Sequence, residues 1–165
     1  MATPGSLLSS LASTSVCAGL TPEEVESLFL IAEVRNFAPG TLLFREGSPA
    51  DALFVLLGGD VEISQEGAVL AEVGPGAVLG EMSLFRTVAT RSATVMAICP
   101  VTAVRISGPQ FRKKLAARDL AALTVVRNVA MQMADRVSAL NARVMGKGKG
   151  LTVARSALRR VVSAG

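Results

Sequence analysis

Apolar positions along this chain change their period twice. Around Leu20-Thr21-Pro22-Glu23-Glu24-Val25 the pattern is helical. Thr21 is placed as an N-cap, Pro22 takes the first helical position, Glu24 completes a capping box, and Leu20 with Val25 forms the hydrophobic staple. Leu28, Phe29, Ile31 and Ala32 continue the apolar face. From Val34 to Ile106 the pattern becomes short apolar runs closed by glycine. Thr41–Phe44 follows the turn Ala38-Pro39-Gly40, and Leu53–Leu57 is a continuous apolar strand ending at Gly58-Gly59. In Asp60–Ser64 the residues alternate, so Val61 and Ile63 point inward. Glu66-Gly67 turns the chain into Val69–Val73, and Gly74-Pro75-Gly76 turns it again. Short strands at a spacing of roughly eight to twelve residues predict a sandwich or barrel.

A last strand, Val101–Ile106, gives way at Ser107-Gly108-Pro109 to helical sequence. A short helix is predicted over Phe111–Ala117, and Asp119 caps a long one reaching about Val144. Along it Val126, Ala130, Met133, Val137, Leu140 and Val144 recur at alternating spacings of four and three, a heptad seam. That seam fits either a face packed on the barrel or a helix–helix dimer contact. Residues 1–10 are small and polar apart from Leu7 and Leu8, and are expected to fray.

Charge divides the chain. Residues 1–100 carry four basic and eleven acidic side chains, while residues 101–165 carry thirteen basic and two acidic. A basic C-terminal part suits an acidic partner, or complements the acidic part of the same molecule or of a dimer mate. Gly146-Lys147-Gly148-Lys149-Gly150 reads as a flexible basic hinge. Beyond it Leu151, Ala154, Leu158 and Val161 form an apolar stripe beside Arg155, Arg159 and Arg160, a candidate docking helix. No apolar run reaches the length of about 18 residues that a membrane span needs. No secretory signal opens the chain. Cys17 and Cys99 do not make a disulfide framework. Together these place the protein in the cytoplasm. The chain contains no histidine, so Ser/His and Cys/His catalytic pairs are excluded and no enzyme is expected.

One stretch carries specific chemistry: Gly80-Glu81-Met82-Ser83-Leu84, then Arg91-Ser92-Ala93-Thr94-Val95. Gly80 lets a ligand approach the backbone. The residues after it can form one helical turn, whose N–H groups suit an anion. Arg91 offers a planar fork for phosphate oxygens. Glu81 only accepts hydrogen bonds when ionised, which suits a sugar hydroxyl.

This stretch closely resembles the phosphate-binding cassette of the cyclic-nucleotide-binding domain family, the family of the catabolite activator protein and the regulatory subunits of cyclic-AMP-dependent protein kinase. The spacing of Gly40, Gly47, Asp51, Phe54, Gly59 and Gly76 is similar to the family's too. Gly58 where the family usually has Ser, and Leu79 where it often has an aromatic, are departures that do not touch the phosphate chemistry. The resemblance implies an α+β fold: a β-jelly-roll-like barrel of about eight short strands, flanked by an N-terminal helix and a C-terminal short-plus-long helix pair. The expected layout is a flexible N-terminus over 1–15, the domain over 16–145 with its cassette at 80–95, and a basic tail over 146–165. Metal-dependent cupins share the barrel, but without histidine a cupin metal site is not expected.

The resemblance also implies a ligand, cyclic AMP, or less favourably cyclic GMP. Its phosphate would lie between Arg91 and the amides around Ser83, Ser92 and Ala93, with Met82 in the same turn, and Glu81 would hold the ribose 2′-hydroxyl. Asn141 would reach the purine edge as the long helix closes over the base. Binding would then switch that helix to control an unknown protein effector, with a homodimer through the long helix. About twenty residues follow it, too few for a helix-turn-helix, so sequence-specific DNA recognition is not expected. Two other readings stay open: a degenerate module kept for protein interaction, and a nucleic-acid binder using the basic tail.

Overall fold

The computed structural model describes residues 4–162, with side chains over 5–145. Two compact units meet between Val129 and Ala130. The first contains α1 (Pro4–Ala12), a 3-10 turn (Ser15–Cys17), α2 (Pro22–Phe29), β1 (Ala32–Phe37), β2 (Leu42–Phe44), β3 (Ala52–Gly58), β4 (Val61–Gln65), β5 (Ala68–Val73) and β6 (Val78–Leu79). It continues through α3 (Met82–Phe85), β7 (Thr94–Ala97), β8 (Val101–Ser107), α4 (Gly108–Ala116) and the first turns of α5, which spans Leu120–Val162. From Ala130 onward α5 belongs to the second unit.

The eight strands form two antiparallel four-stranded sheets, ordered β1-β8-β3-β6 and β2-β7-β4-β5. Side chains from both meet in one core that includes Leu43, Phe54, Leu56, Val61, Val95 and Ala103. The continuous apolar run of β3 has a direct cause. Ala52, Phe54 and Leu56 face that core, while α1, α3 and α4 all pack against the same strand, so Leu53 and Val55 are buried as well. The alternation read in β4 also holds, with Val61 fully buried and Ile63 packed on the core. The α+β fold class expected from the sequence is the one found.

Local chemistry fixes the helix starts. Thr21 Oγ1 accepts from the Glu24 amide at 3.3 Å, and Glu24 Oε2 accepts from the Thr21 amide at 2.8 Å, a complete capping box. Asp119 Oδ1 accepts from the Ala122 amide at 2.9 Å and so caps α5. Asn128 ties the opening of α5 to the 3-10 turn, donating to the Val16 and Ala18 carbonyls at 2.9 Å each.

Three expectations are corrected. Residues 4–12 form α1 instead of fraying, because Leu11 is fully buried and the half-buried Leu7 and Leu8 lie on the same side of the helix, giving it a packed face. The second helix stops at Phe29, so Ile31 and Ala32 do not extend it. Ala32 instead opens β1 opposite Ile106, and the Ile31 carbonyl accepts from the Ser107 amide at 3.0 Å. The glycine-lysine stretch 146–150 lies inside α5 and does not interrupt it. A helix already nucleated can extend through glycine at a cost of about 1 kcal/mol per residue. Side chains from 146 onward, and with them the expected docking stripe, lie outside the described residues.

The Asp119 cap makes a prediction. The Ala122 amide, first among the causes, holds the Asp119 carboxyl below its ordinary value against desolvation, and the Lys114 ammonium adds to the effect. Asp119→Ala should cost about 1 kcal/mol in denaturant unfolding at neutral pH. A carboxyl lowered by folding stabilises while it is ionised, so the gap between wild type and variant should close as pH falls through the folded value.

Candidate functional site

The site begins where β6 ends. Gly80 has φ +74°, and a Cβ placed there would fall on Arg91 Nη1 and within 3.1 Å of the Ala52 carbonyl. Glycine is therefore needed twice, for the left-handed backbone and for the space the guanidinium takes. The single turn of α3 follows. Ser83 is fully buried and turns both its amide (3.2 Å) and its hydroxyl (2.9 Å) onto the Gly80 carbonyl, while the Leu84 amide bonds the Glu81 carbonyl at 3.0 Å.

The chain then loops outward and returns along residues 47–50. The Gly47 amide donates to the Arg91 carbonyl, the Arg91 amide to Ser48, and the Ala50 amide to Ala89, all at 2.8 Å. These bonds hold the Arg91 backbone from both sides, and its side chain passes inward until only 3 % is exposed. The guanidinium carbon lies 4.1 Å from the Phe44 ring centroid and 5.7 Å from that of Phe54, a cation–π seat on two core aromatics. Nη2 stands 3.7 Å from Asp51 Oδ1. Nε and Nη1 are buried with no hydrogen-bond partner.

The electrostatics are unbalanced. Loss of water lowers the Arg91 pKa most. Asp51 opposes that shift, Arg105 adds to it, and Glu81 opposes it. The group remains a cation at neutral pH. Asp51 is a divided counterion: its side chain is 61 % exposed, and it also accepts from Arg105 Nη2, while Arg105 Nη1 reaches Glu33 at 3.0 Å. A buried cation with two unmet donors costs on the order of several kcal/mol unless an anion supplies the missing oxygens.

Residues 34–118 match the family model described as the cyclic nucleotide-binding domain. This chain belongs to that family. Glutaminase 1 of Bradyrhizobium diazoefficiens is 34 % identical over 135 residues, covering 81 % of this chain and 22 % of that protein. A cyclic nucleotide-binding domain of Methylobacillus flagellatus superposes with a TM-score of 0.73 at 25 % identity, covering 85 % of this chain and 81 % of that one. A Geobacter metallireducens protein described as a candidate cyclic nucleotide-binding protein gives 0.69 at 30 % identity, covering 83 % and 99 %. The chain spans about a fifth of the length of the curated relatives it matches first. Fold and family are thus those of a cyclic-nucleotide-binding regulatory module.

Of the residues singled out for this domain, Gly80, Glu81, Met82, Ser83, Arg91, Ser92 and Ala93 lie on the α3 turn and the segment that returns to β7. Glu81, Met82 and Ala93 are half-buried, and Ser92 is exposed. The Ser83 amide is already engaged by the Gly80 carbonyl, whereas Nε and Nη1 of Arg91 are side-chain donors without a partner. Asn141 belongs to the second unit and is exposed. Sequence reasoning missed Phe44 under the guanidinium and Arg105 beside Asp51. Both lie outside the cassette and read locally as ordinary strand residues. Only the pairing of β2 with β7 and of β8 with β3 brings them in.

Gly40 also has positive φ, +80°, but nothing within 4 Å of an added Cβ. Gly40→Ala should cost about 1–2 kcal/mol from backbone strain alone. Gly80→Ala should cost distinctly more in the same denaturant series, because its Cβ also collides with the closely packed Arg91 side chain and crowds the Ala52 carbonyl.

Proposed function

We propose that this protein is a cyclic-mononucleotide sensor whose ligand is cyclic AMP, with cyclic GMP the alternative. The observation that carries this reading is the guanidinium of Arg91, buried over Phe44 with Nε and Nη1 unpartnered, in the space that Gly80 leaves by having no side chain. A cyclic phosphodiester has one negative charge shared over two exocyclic oxygens, one axial and one equatorial, and so suits a planar cation with several N–H donors. The Glu81 carboxylate makes no capping bond to α3 and remains free to accept from a ribose hydroxyl. Ser92 and Ala93, next to Arg91 in the chain, are the candidates for backbone contacts to the phosphate, and Asn141 is the candidate for the purine edge. The work of such a site is binding and release, so we assign no catalytic role to the chain.

Signal output would pass through α5 to a protein effector. Val137, Leu140 and Val144 on its seam are 55 %, 58 % and 68 % exposed in the single chain, which favours a homodimer formed by that helix. Both cysteines are free, in keeping with a cytoplasmic setting, and no helix among the described residues is long and apolar enough to cross a membrane.

Equilibrium titration of the folded protein with cyclic AMP and cyclic GMP tests the reading. We expect saturable binding of one nucleotide per chain at micromolar concentration or tighter. Glu81→Gln should weaken it about tenfold, the value of a charge-assisted hydrogen bond to a hydroxyl. A folded protein that binds neither nucleotide contradicts the proposal.

A further inference from the structure

The α3 turn is too short to hold its own position. Its four residues close a single turn, and carbonyls at its C-terminal end have no partner within the helix. Those carbonyls are met from α4. Arg112 Nη1 donates both to the Ser83 carbonyl and to the Arg86 carbonyl, the latter at 3.1 Å. One turn earlier on α4, Gly108 leaves room for the Ser83 carbonyl. A Cβ on Gly108 would come within 2.7 Å of the Ser83 carbonyl and 2.9 Å of the Asp51 carbonyl, which already accepts from the Gly108 amide at 2.9 Å. The Ser83 carbonyl is therefore held by Arg112 and lies in the space that a side chain at position 108 would need. The bonds from Arg112 go to the end of α3 opposite Gly80 and Arg91.

We infer that Arg112 is a positioning residue for nucleotide binding: it locks the C-terminal end of α3 onto α4, and this keeps Gly80, Glu81 and Ser83 set against the Arg91 guanidinium. A cation at the C-terminal end of a helical turn also complements its dipole. The inference rests on the reading of this cassette as a cyclic-nucleotide site. Because the role is positional, it is independent of the base and acts equally on cyclic AMP and cyclic GMP.

The experiment compares wild type, Arg112→Gln, Arg112→Lys and Gly108→Ala in calorimetric titrations with both nucleotides. Ligand-free hydrogen exchange is read at the Leu84 and Arg86 amides. Arg112→Gln should lose about tenfold in affinity for both nucleotides alike and exchange faster at those two amides, with barrel amides unchanged. Lysine, able to reach one carbonyl, should recover part of the loss. Gly108→Ala favours α4 itself, yet should weaken both nucleotides by displacing Ser83. If wild type binds neither nucleotide, the sensor reading falls and this inference with it. If wild type binds and Arg112→Gln binds equally well, the inference alone is overturned. It is also overturned by a loss confined to one nucleotide, or by one that accompanies faster exchange throughout the barrel without rescue by lysine. Arg112→Lys and Gly108→Ala carry the test if Arg112→Gln does not fold.

Discussion

A cation has been taken out of water here without being given enough acceptors. Arg91 sits on Phe44, faces a shared and exposed Asp51, and keeps two donors unmatched. Most features around it follow from accommodating that group. Gly80 lacks a side chain where the guanidinium lies, residues 47–50 brace the Arg91 backbone, and Phe44 and Phe54 extend the barrel core up to the charge. Such an arrangement is unfavourable in isolation and becomes favourable when an anion of matching shape enters.

The two sheets exist to hold that geometry. The return of β7 beside β2 sets the aromatic floor, and the central place of β8 between β1 and β3 brings Arg105 to Asp51. Helix α4 enters directly after β8 and reaches α3 through Arg112 and Gly108. The site is thus tied to both sheets and to the helix that leads toward α5.

Much of this was legible in the residues themselves. The Thr21-Pro22-Glu23-Glu24 start was readable because a capping box is local chemistry, and the glycine-punctuated strands because period and turns are local too. The cassette was readable because its glycine, carboxylate and arginine fall within one short stretch. What escaped depended on contacts distant in sequence. Leu7 and Leu8 look isolated in a polar fringe until α2 and β3 give α1 something to pack on. Ala32 continues a helical pattern until Ile106 claims it for β1. Phe44 is one more strand aromatic until Arg91 arrives over it. The partner of a buried charge is set by topology, and no window of neighbouring residues contains it.

Calorimetric titration of cyclic AMP into wild type and into Arg91→Ala, side by side and with both proteins shown to be folded, tests the central claim most directly. The unmatched guanidinium predicts clear binding by wild type and a loss of about 3 kcal/mol or more, over a hundredfold in affinity, in the variant. Equal affinity in the two proteins would contradict the account, because the nucleotide would then be held by something other than the buried charge around which this fold is arranged.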